Sequence, residues 1–351
     1  MKKLNILVTG SGGGGHGAQI IKSLKFSNLD FNLFTADVSS ISAGNFETNL
    51  FFILPPANSG SYISELKQLC IDKKIDVLFH GSEPELKAIS DNRGVFEELG
   101  IYLPINSKKV IDICMDKSKT VNFLKENHLF FPKSFDVNKS FDLHELNDFP
   151  YILKPSVGAG GSQFTFIAQD EEELRIYSKL LFDNFDNFII QEYVGNYENE
   201  FTIGVLSDNK GNLIDSISSR RIIDKGLGCK LKVKNKTSKK YLGDYLIVSS
   251  GISQGYISQD SKVCSQANNI SKKLNSLGPI NIQCRLVEDK LYVFEINPRF
   301  SGTSFMRTMI GFNEPEILIS KNFDLELNYN CKIKEGYIMR GLEEFYLGFD
   351  S

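Results

Sequence analysis

The densest set of residues able to do chemistry lies between positions 280 and 299. It reads Ile280-Asn281-Ile282-Gln283-Cys284-Arg285-Leu286-Val287, a short polar turn, then Leu291-Tyr292-Val293-Phe294-Glu295-Ile296-Asn297-Pro298-Arg299. Two alternating apolar runs about a polar turn describe a β-hairpin. Pairing Ile282, Cys284 and Leu286 with Ile296, Phe294 and Tyr292 gathers the apolar set on one face, and it predicts a three-residue loop over 288–290. The other face then carries Gln283 beside Glu295 and Asn281 beside Asn297. Gln283, Glu295 and Asn297 offer the oxygen donors that octahedral Mg²⁺ takes when it is shared with phosphates. Arg299, two residues past Asn297, brings a planar fork suited to a carboxylate or a transferring phosphoryl group. A hairpin with a merely solvated polar face would show the same alternation.

Two further segments extend this chemistry. Tyr151-Ile152-Leu153-Lys154-Pro155 ends a strand in a lysine, and Gly158-Ala159-Gly160-Gly161 follows at once. A lysine sits between phosphate oxygens as a point charge, and a loop nearly free of side chains folds its N–H groups over the terminal phosphate. The apolar strand Phe188-Ile189-Ile190-Gln191 then ends in Glu192-Tyr193-Val194. Glu192 can accept from an exocyclic amine or stand near a ribose, and the Tyr193 and Val194 backbone groups can meet a ring edge, as a buried base requires. Glu200, opening the next strand, is placed to serve the ribose or the lysine, or is an ordinary strand-edge carboxylate.

A competing signal stands at the amino end. Gly10-Ser11-Gly12-Gly13-Gly14-Gly15 follows a short strand, and Asp37 follows near the end of the next strand. This satisfies the dinucleotide-binding spacing. With five glycines in six positions a plain strand-to-helix turn satisfies it equally. Substrate-side readings are open in the same way. Arg220, Arg221 and Lys225, Lys230, Lys232, Lys234, Lys236, Lys239 and Lys240 suit an anionic substrate or form a solvated loop, and Arg285 reaches substrate or makes an ion pair.

The elements that must position these residues fall into two blocks. Apolar runs at 4–8, 31–36, 50–54 and 75–79 alternate with helical spacing at 18–26 and 62–72, which predicts a parallel α/β sheet. From about 105 the pattern changes. A helix over 107–126 leads into strand pairs with polar turns at 208–211 and 288–290, a capping-box helix opened by Asp170 and Glu173, and a helix over 261–274. We therefore expect residues 1–107 to form a Rossmann-like parallel α/β domain and residues 108–351 an α+β domain.

Bulk properties fit this plan. At 351 residues with 41% hydrophobic and 24% charged side chains, the chain has ample core for two domains. Forty basic against 43 acidic residues leave a formal charge of −3, so no global field gathers nucleic acid or anionic membrane. The apolar run after Met1-Lys2-Lys3 is too short for a signal peptide or a membrane span, and six dispersed cysteines with no Cys-x-x-Cys pair suit a reducing compartment. The expectation is a cytoplasmic protein. Its four histidines and six cysteines lack ligand spacing, which argues for a hard cation and against zinc.

Taken together, these motifs resemble the ATP-grasp superfamily, and within it the branch of carboxylate ligases similar to the large chain of carbamoyl phosphate synthase. The resemblance spans nearly the whole chain. It implies a pre-ATP-grasp domain followed by an ATP-grasp domain. Met115-Asp116-Lys117-Ser118 looks like the opening of the grasp region, making Lys117 the first nucleotide lysine and Lys154 the second. Gly158, Gly160 and Gly161 resemble the phosphate loop, Glu192, Tyr193 and Val194 the adenine hinge, and Gln283, Glu295 and Asn297 the metal set. Arg299 and Lys154 take the catalytic positions. The implied reaction uses ATP and Mg²⁺ to turn a small-molecule carboxylate into an acylphosphate, which an amine then attacks.

The resemblance also has limits. One grasp module, with no glutamine-hydrolysing part or second synthetase half, implies a product other than carbamoyl phosphate. The absence of an acid soon after Arg299 argues against a biotin carboxylase. Other readings remain: an NAD(P)-dependent enzyme using the amino-terminal glycines, or a nucleotide-binding protein without turnover. Partners are expected to be small molecules, with a homodimer as the common default for soluble enzymes.

Overall fold

The computed structural model describes residues 3–13, 15–158, 162–326 and 333–344. In the amino-terminal third the apolar runs become strands and the amphipathic segments between them helices: β1 (Leu4–Val8), α1 (His16–Lys25), β2 (Phe31–Asp37), β3 (Phe51–Ile53), α2 (Tyr62–Asp72) and β4 (Val77–Phe79). The strands lie side by side in the order β3-β2-β1-β4, all parallel. Helices α3 (Glu83–Asp91) and α4 (Arg93–Glu97) complete this unit. A capping box starts α3. The Ser82 hydroxyl accepts from the Glu85 N–H, while the Glu85 carboxylate accepts from the Ser82 hydroxyl and the Gly81 N–H.

The helix expected over 107–126 is two helices, α5 (Lys108–Cys114) and α6 (Lys117–Glu126). Asp116 breaks it. Its backbone is extended and bridges Val157, and its Oδ1 caps α6 by accepting from the N–H groups of Ser118 and Lys119 at 2.9 and 3.2 Å. The break turns Lys117 to the first position of a new helix.

A four-stranded antiparallel sheet follows, from β5 (Ser134–Val137), β6 (Tyr151–Pro155), β7 (Phe166–Ala168) and β8 (Phe188–Glu192), in the order β5-β8-β6-β7. It is backed by α7 (Glu171–Phe182), which the Asp170 side chain caps through the Glu173 N–H at 2.8 Å.

The remaining elements are β9 (Glu200–Ser207), β10 (Leu213–Arg221), β11 (Cys229–Lys234), β12 (Tyr245–Ser249), β13 (Gly255–Ser258), α8 (Ser261–Leu274), β14 (Pro279–Val287), β15 (Lys290–Asn297), α9 (Ser304–Met309), α10 (Glu314–Asn322) and β16 (Gly336–Ile338). They build a six-stranded antiparallel sheet, β15-β14-β9-β10-β13-β16, and a separate β11–β12 pair.

The hairpin of β14 and β15 corrects the expected loop. Val287 pairs with Lys290, so the turn is the two residues Glu288 and Asp289, with φ of 47° and 64° as a type I′ turn demands. That turn alone would separate the oxygen donors onto opposite faces. A β-bulge at Phe294 shifts the register by one: Cys284 pairs with Val293, yet Gln283 pairs with Glu295 and Asn281 with Asn297. Val293 therefore takes the core place expected for Phe294, and Phe294 turns to the other face.

One core ties the two halves together. Leu4, Ile6, Val8, Ile20 and Phe79 pack with Leu206, Ile217, Phe300, Met306 and Phe312 in a single apolar cluster. Among the described residues no helix is long and apolar enough to cross a membrane.

Candidate active site

The ends of these sheets enclose a cavity of about 660 Å³. Lys117, Lys154, Gly158, Glu192, Tyr193, Val194, Glu200, Gln283, Glu295, Asn297 and Arg299 all line it, as do His16, Ser82 and Glu83 from the amino-terminal unit. Every described residue that the ATP-grasp resemblance assigns to a nucleotide, metal or catalytic role thus meets in one cleft, from segments spanning 183 positions of sequence from Lys117 to Arg299, while Gly12 and Asp37 of the dinucleotide signal do not line it. Gly160 and Gly161 lie outside the described residues, as do Gly14 and Cys331.

The bulge that sets the hairpin register also places Lys154. An extra residue in one strand leaves a backbone carbonyl without a ladder partner, and the Lys154 ammonium donates to the Phe294 carbonyl at 3.1 Å and lies 5.5 Å from the centre of its ring. Lys154 is 7% exposed. Burial, aided by the Lys117 charge and opposed by Glu295 and Glu200, pulls its ammonium down to about 7. Polyphosphate oxygens beside it would return the group toward an ordinary lysine. Nucleotide binding is therefore expected to take up a proton between about pH 7 and the ordinary lysine value, and uptake should fade below pH 7, where the lysine already holds its proton. Titration calorimetry in buffers of different ionisation enthalpy measures this; equal uptake by wild type and Lys154→Met would refute it.

Around the phosphate-loop segment, Gly158 has φ +74°, and the Ser162 hydroxyl donates to the Ser249 carbonyl at 2.8 Å, tying the loop's far end to β12. On the base side, the Tyr193 N–H is spent on the Pro150 carbonyl at 3.1 Å, and the Tyr193 hydroxyl is held by the Ile247 backbone. The Val194 N–H meets no protein acceptor among the described residues, whereas the Glu192 carboxylate already lies 4.0 Å from the Lys239 ammonium, which also pairs with Asp148.

Glu200 is not a free carboxylate. At 2% exposure it accepts from Arg221 at 2.9 Å and from two nitrogens of Arg285 at 3.2 and 3.1 Å. Arg285 also donates to the carbonyls of Val194, Gly195 and Ile247 and stacks 4.3 Å over the Tyr193 ring. The open choice for Arg285 thus resolves to the ion pair, and Arg221 is likewise held by Glu200, Ser249 and Ser250. Lys230, Lys232 and Lys234 sit at the exposed positions of β11.

At the acid end, Arg299 donates to Glu83 at 2.8 Å, to the Asn297 Oδ1 at 3.0 Å and to the Phe300 carbonyl at 3.1 Å. Burial opposes the Glu83 charge, but the hydrogen-bonded Arg299 overrides it, and with help from Lys117 the carboxyl stays below its usual range. The Arg299 Nε and the Asn297 Nδ2 are buried with no acceptor. Two orphaned donors at one point call for an anion. Beside them, Glu295, Gln283 and Asn297 line the same cavity and carry side-chain oxygens of the kind Mg²⁺ takes, that of Asn297 already accepting from Arg299.

Sequence reasoning missed the groups that the amino-terminal unit contributes. His16 Nε2 lies 3.2 Å from His80 Nδ1, although 64 residues separate them. Burial, together with the Arg299 charge, holds His80 down to about 3 and His16 well below its ordinary value, so both rings are neutral. The signal that could have found this edge is Ser82-Glu83-Pro84-Glu85, a capping box directly after a strand of a parallel sheet, where ligands gather. The glycine turn shows a different use. The Asp37 carboxylate folds back to accept from the Gly12 N–H at 2.7 Å, and Gly17 lies so close to the Gly10 carbonyl and Gly81 that a Cβ would collide. These glycines pack the turn against the neighbouring loop.

Residues 114–303, more than half of the chain, match the ATP-grasp domain family. The chain belongs to the ATP-grasp family. Residues 6–104 match the PylC-like N-terminal domain. Among curated relatives, the carbamoyl phosphate synthase large chain of Helicobacter pylori is 27% identical over 340 residues, covering 88% of this chain and 28% of that protein. That of Pseudothermotoga lettingae is 25% identical over 224 residues, 61% of this chain and 18% of that one. The chain therefore spans less than a third of these relatives' length.

Solved structures share the ATP-grasp fold at low identity. An N5-carboxyaminoimidazole ribonucleotide synthetase in complex with ADP superposes with a TM-score of 0.66 at 15% identity, covering 95% of this chain and 82% of that one. The biotin carboxylase domain of Hydrogenobacter thermophilus 2-oxoglutarate carboxylase, bound to MgADP and bicarbonate, gives 0.64 at 16%, covering 94% and 72%. D-alanine–D-alanine ligase from Bacillus anthracis gives 0.56 at 17%, covering 92% and 98%.

Proposed function

We propose that this ATP-grasp protein is an ATP- and Mg²⁺-dependent ligase that activates a small-molecule carboxylate as an acylphosphate and joins it to an amine. The observation that carries the reading is the convergence on one cavity of a buried lysine, an all-oxygen donor set and an arginine with an orphaned Nε. The relatives support it: each solved neighbour above is a ligase, synthetase or carboxylase by name, and two were solved with ADP.

In this reading Lys117 and Lys154 hold the phosphates, with Gly158 beside them in the cavity lining. Glu192 and Val194 take the base. Gln283, Glu295 and Asn297 would hold Mg²⁺, which when bound offsets the charge shared between phosphates. Arg299, fixed by Glu83, orients the acid so that one carboxylate oxygen attacks the γ-phosphorus as the bond to ADP breaks. The amine then attacks the acyl carbon, phosphate leaves, and the nitrogen sheds its proton. Positioning and charge stabilisation supply most of the acceleration in such a transfer. Residues 1–107 act here as the wall of the acid site, through His16, Ser82 and Glu83.

The test is ADP release from Mg·ATP across a panel of small carboxylic acids, with and without amines. Release that requires both an acid and an amine, with an amide detected by mass spectrometry, is the expected result. Tight ATP binding with no release across the panel would leave only a nucleotide-binding protein.

A further inference from the structure

The proposed ligase reading leaves unused one partly buried cation that reaches the cavity wall at Gly302 from outside the lining. Arg340 follows β16, which pairs with β13 at the edge of the six-stranded sheet. From there its guanidinium crosses to the other half of the molecule and donates to the Gln19 side-chain oxygen on α1 and to the Gly302 carbonyl, while its backbone N–H donates to the Gln254 side chain at 3.4 Å.

Its surroundings belong to the acid end of the cleft. Gly302 lines the cavity and lies three residues past Arg299, so the two are within about 10 Å along the chain. Gln19 sits one helical turn beyond His16, and Gln254 follows Ser253; both of those neighbours line the same cavity.

The other arginines inside the fold carry a carboxylate: Arg221 and Arg285 share Glu200, Arg299 has Glu83, and Arg307 has Glu314. Arg340 meets none among the described residues. Of the acids near it in sequence, Glu335 is engaged by the Tyr256 hydroxyl and Glu343 by Lys22, and exposed Glu344 makes no ion pair with it. Burial presses its guanidinium below the ordinary arginine value with no counter-charge to oppose it. A partly buried guanidinium without an anion is costly. Its fork matches a carboxylate or phosphate in two parallel hydrogen bonds. Glu83, the acid of the amino-terminal unit that lines the cavity, is paired with Arg299.

We infer that Arg340, with Gln19 and the Gly302 segment, forms a subsite for a second anionic group, carried by the carboxylate substrate in addition to its reacting carboxyl or by the amine as a carboxylate of its own. The ligase then selects substrates that bear a charge at each end.

The experiment compares wild type with Arg340→Met, which keeps the apolar stem, and Arg340→Lys, which keeps the charge and loses the fork. ADP release is measured with succinate and glutarate against butyrate and valerate, each with glycine or glycinamide as the amine. Wild type is expected to favour the dianionic acids tenfold or more if the acid carries the group, or glycine over glycinamide by that factor if the amine does. Arg340→Met should erase that preference while leaving ATP affinity within twofold and the unliganded melting temperature within about 3 °C. Arg340→Lys should fall between.

Where no acid turns over, the readout is the melting-temperature rise given by succinate over chloride at equal ionic strength with Mg·ADP saturating. A rise seen in wild type and lost in Arg340→Met supports the subsite. No rise in wild type overturns it, and so does a drop of well over 3 °C in unliganded Arg340→Met with substrate preference unchanged, which would make Arg340 a strap only. Failure of wild type to bind Mg·ATP would instead overturn the ligase reading itself.

Discussion

Lys154→Met and Glu295→Gln are each expected to lower acid-dependent ADP release by at least about 10²-fold while leaving the fold intact. The two act at opposite signs of the same site. The Lys154 ammonium is held against the Phe294 carbonyl, one residue before Glu295, so a strand bulge fixes phosphate cation and metal carboxylate together. Methionine keeps the buried stem and removes the charge, so circular dichroism and melting temperature should stay near wild type. Because burial pulls the Lys154 ammonium down to about 7, its loss removes a desolvation penalty along with a function. Glu295→Gln keeps the shape and an oxygen donor but removes the only carboxylate of the proposed metal set, and excess Mg²⁺ should recover part of its activity. Turnover unchanged in both variants would remove the site from consideration.

The second large effect is on stability. Glu200→Ala leaves the Arg221 and Arg285 guanidiniums buried without their shared carboxylate, and breaking one side of such a pair costs about 3–5 kcal/mol. The loss should appear in denaturant unfolding at neutral pH. Nucleotide binding should weaken in the same variant, because Arg285 also fastens the carbonyls of Val194 and Gly195 next to the proposed base site. Glu200→Gln, which keeps an acceptor, should be milder in both. A loss under about 1 kcal/mol in the alanine variant would mean that water replaces the carboxylate and that the triad is dispensable.

These two sites differ in how far sequence reasoning reached them. Gln283, Glu295, Asn297 and Arg299 were legible because strand alternation is a local rule: every second residue shares a face. The same rule assigned the wrong loop. Alternation counts residues and cannot see a bulge, and here the two-residue turn of Glu288 and Asp289 is reconciled with the donor pairing only by the extra residue at Phe294. The helix predicted over 107–126 failed for a similar reason, since the bridge between Asp116 and Val157 that breaks it joins segments far apart in sequence.

The amino-acid sequence by itself determined the two-block α/β and α+β plan, the lysine and glycine loop, the base-side strand and the oxygen-donor hairpin, since each is written in spacings of a few residues. Only the tertiary structure decided which charges are free to act. Glu200, Arg221 and Arg285 come from three adjacent strands and pair with one another, His16 and His80 meet across two loops, and Arg340 reaches Gln19 over 321 positions. Whether a buried charge is a structural tie or a ligand site depends on finding its counter-charge, and that partner is set by packing between distant segments, about which local spacing carries no information.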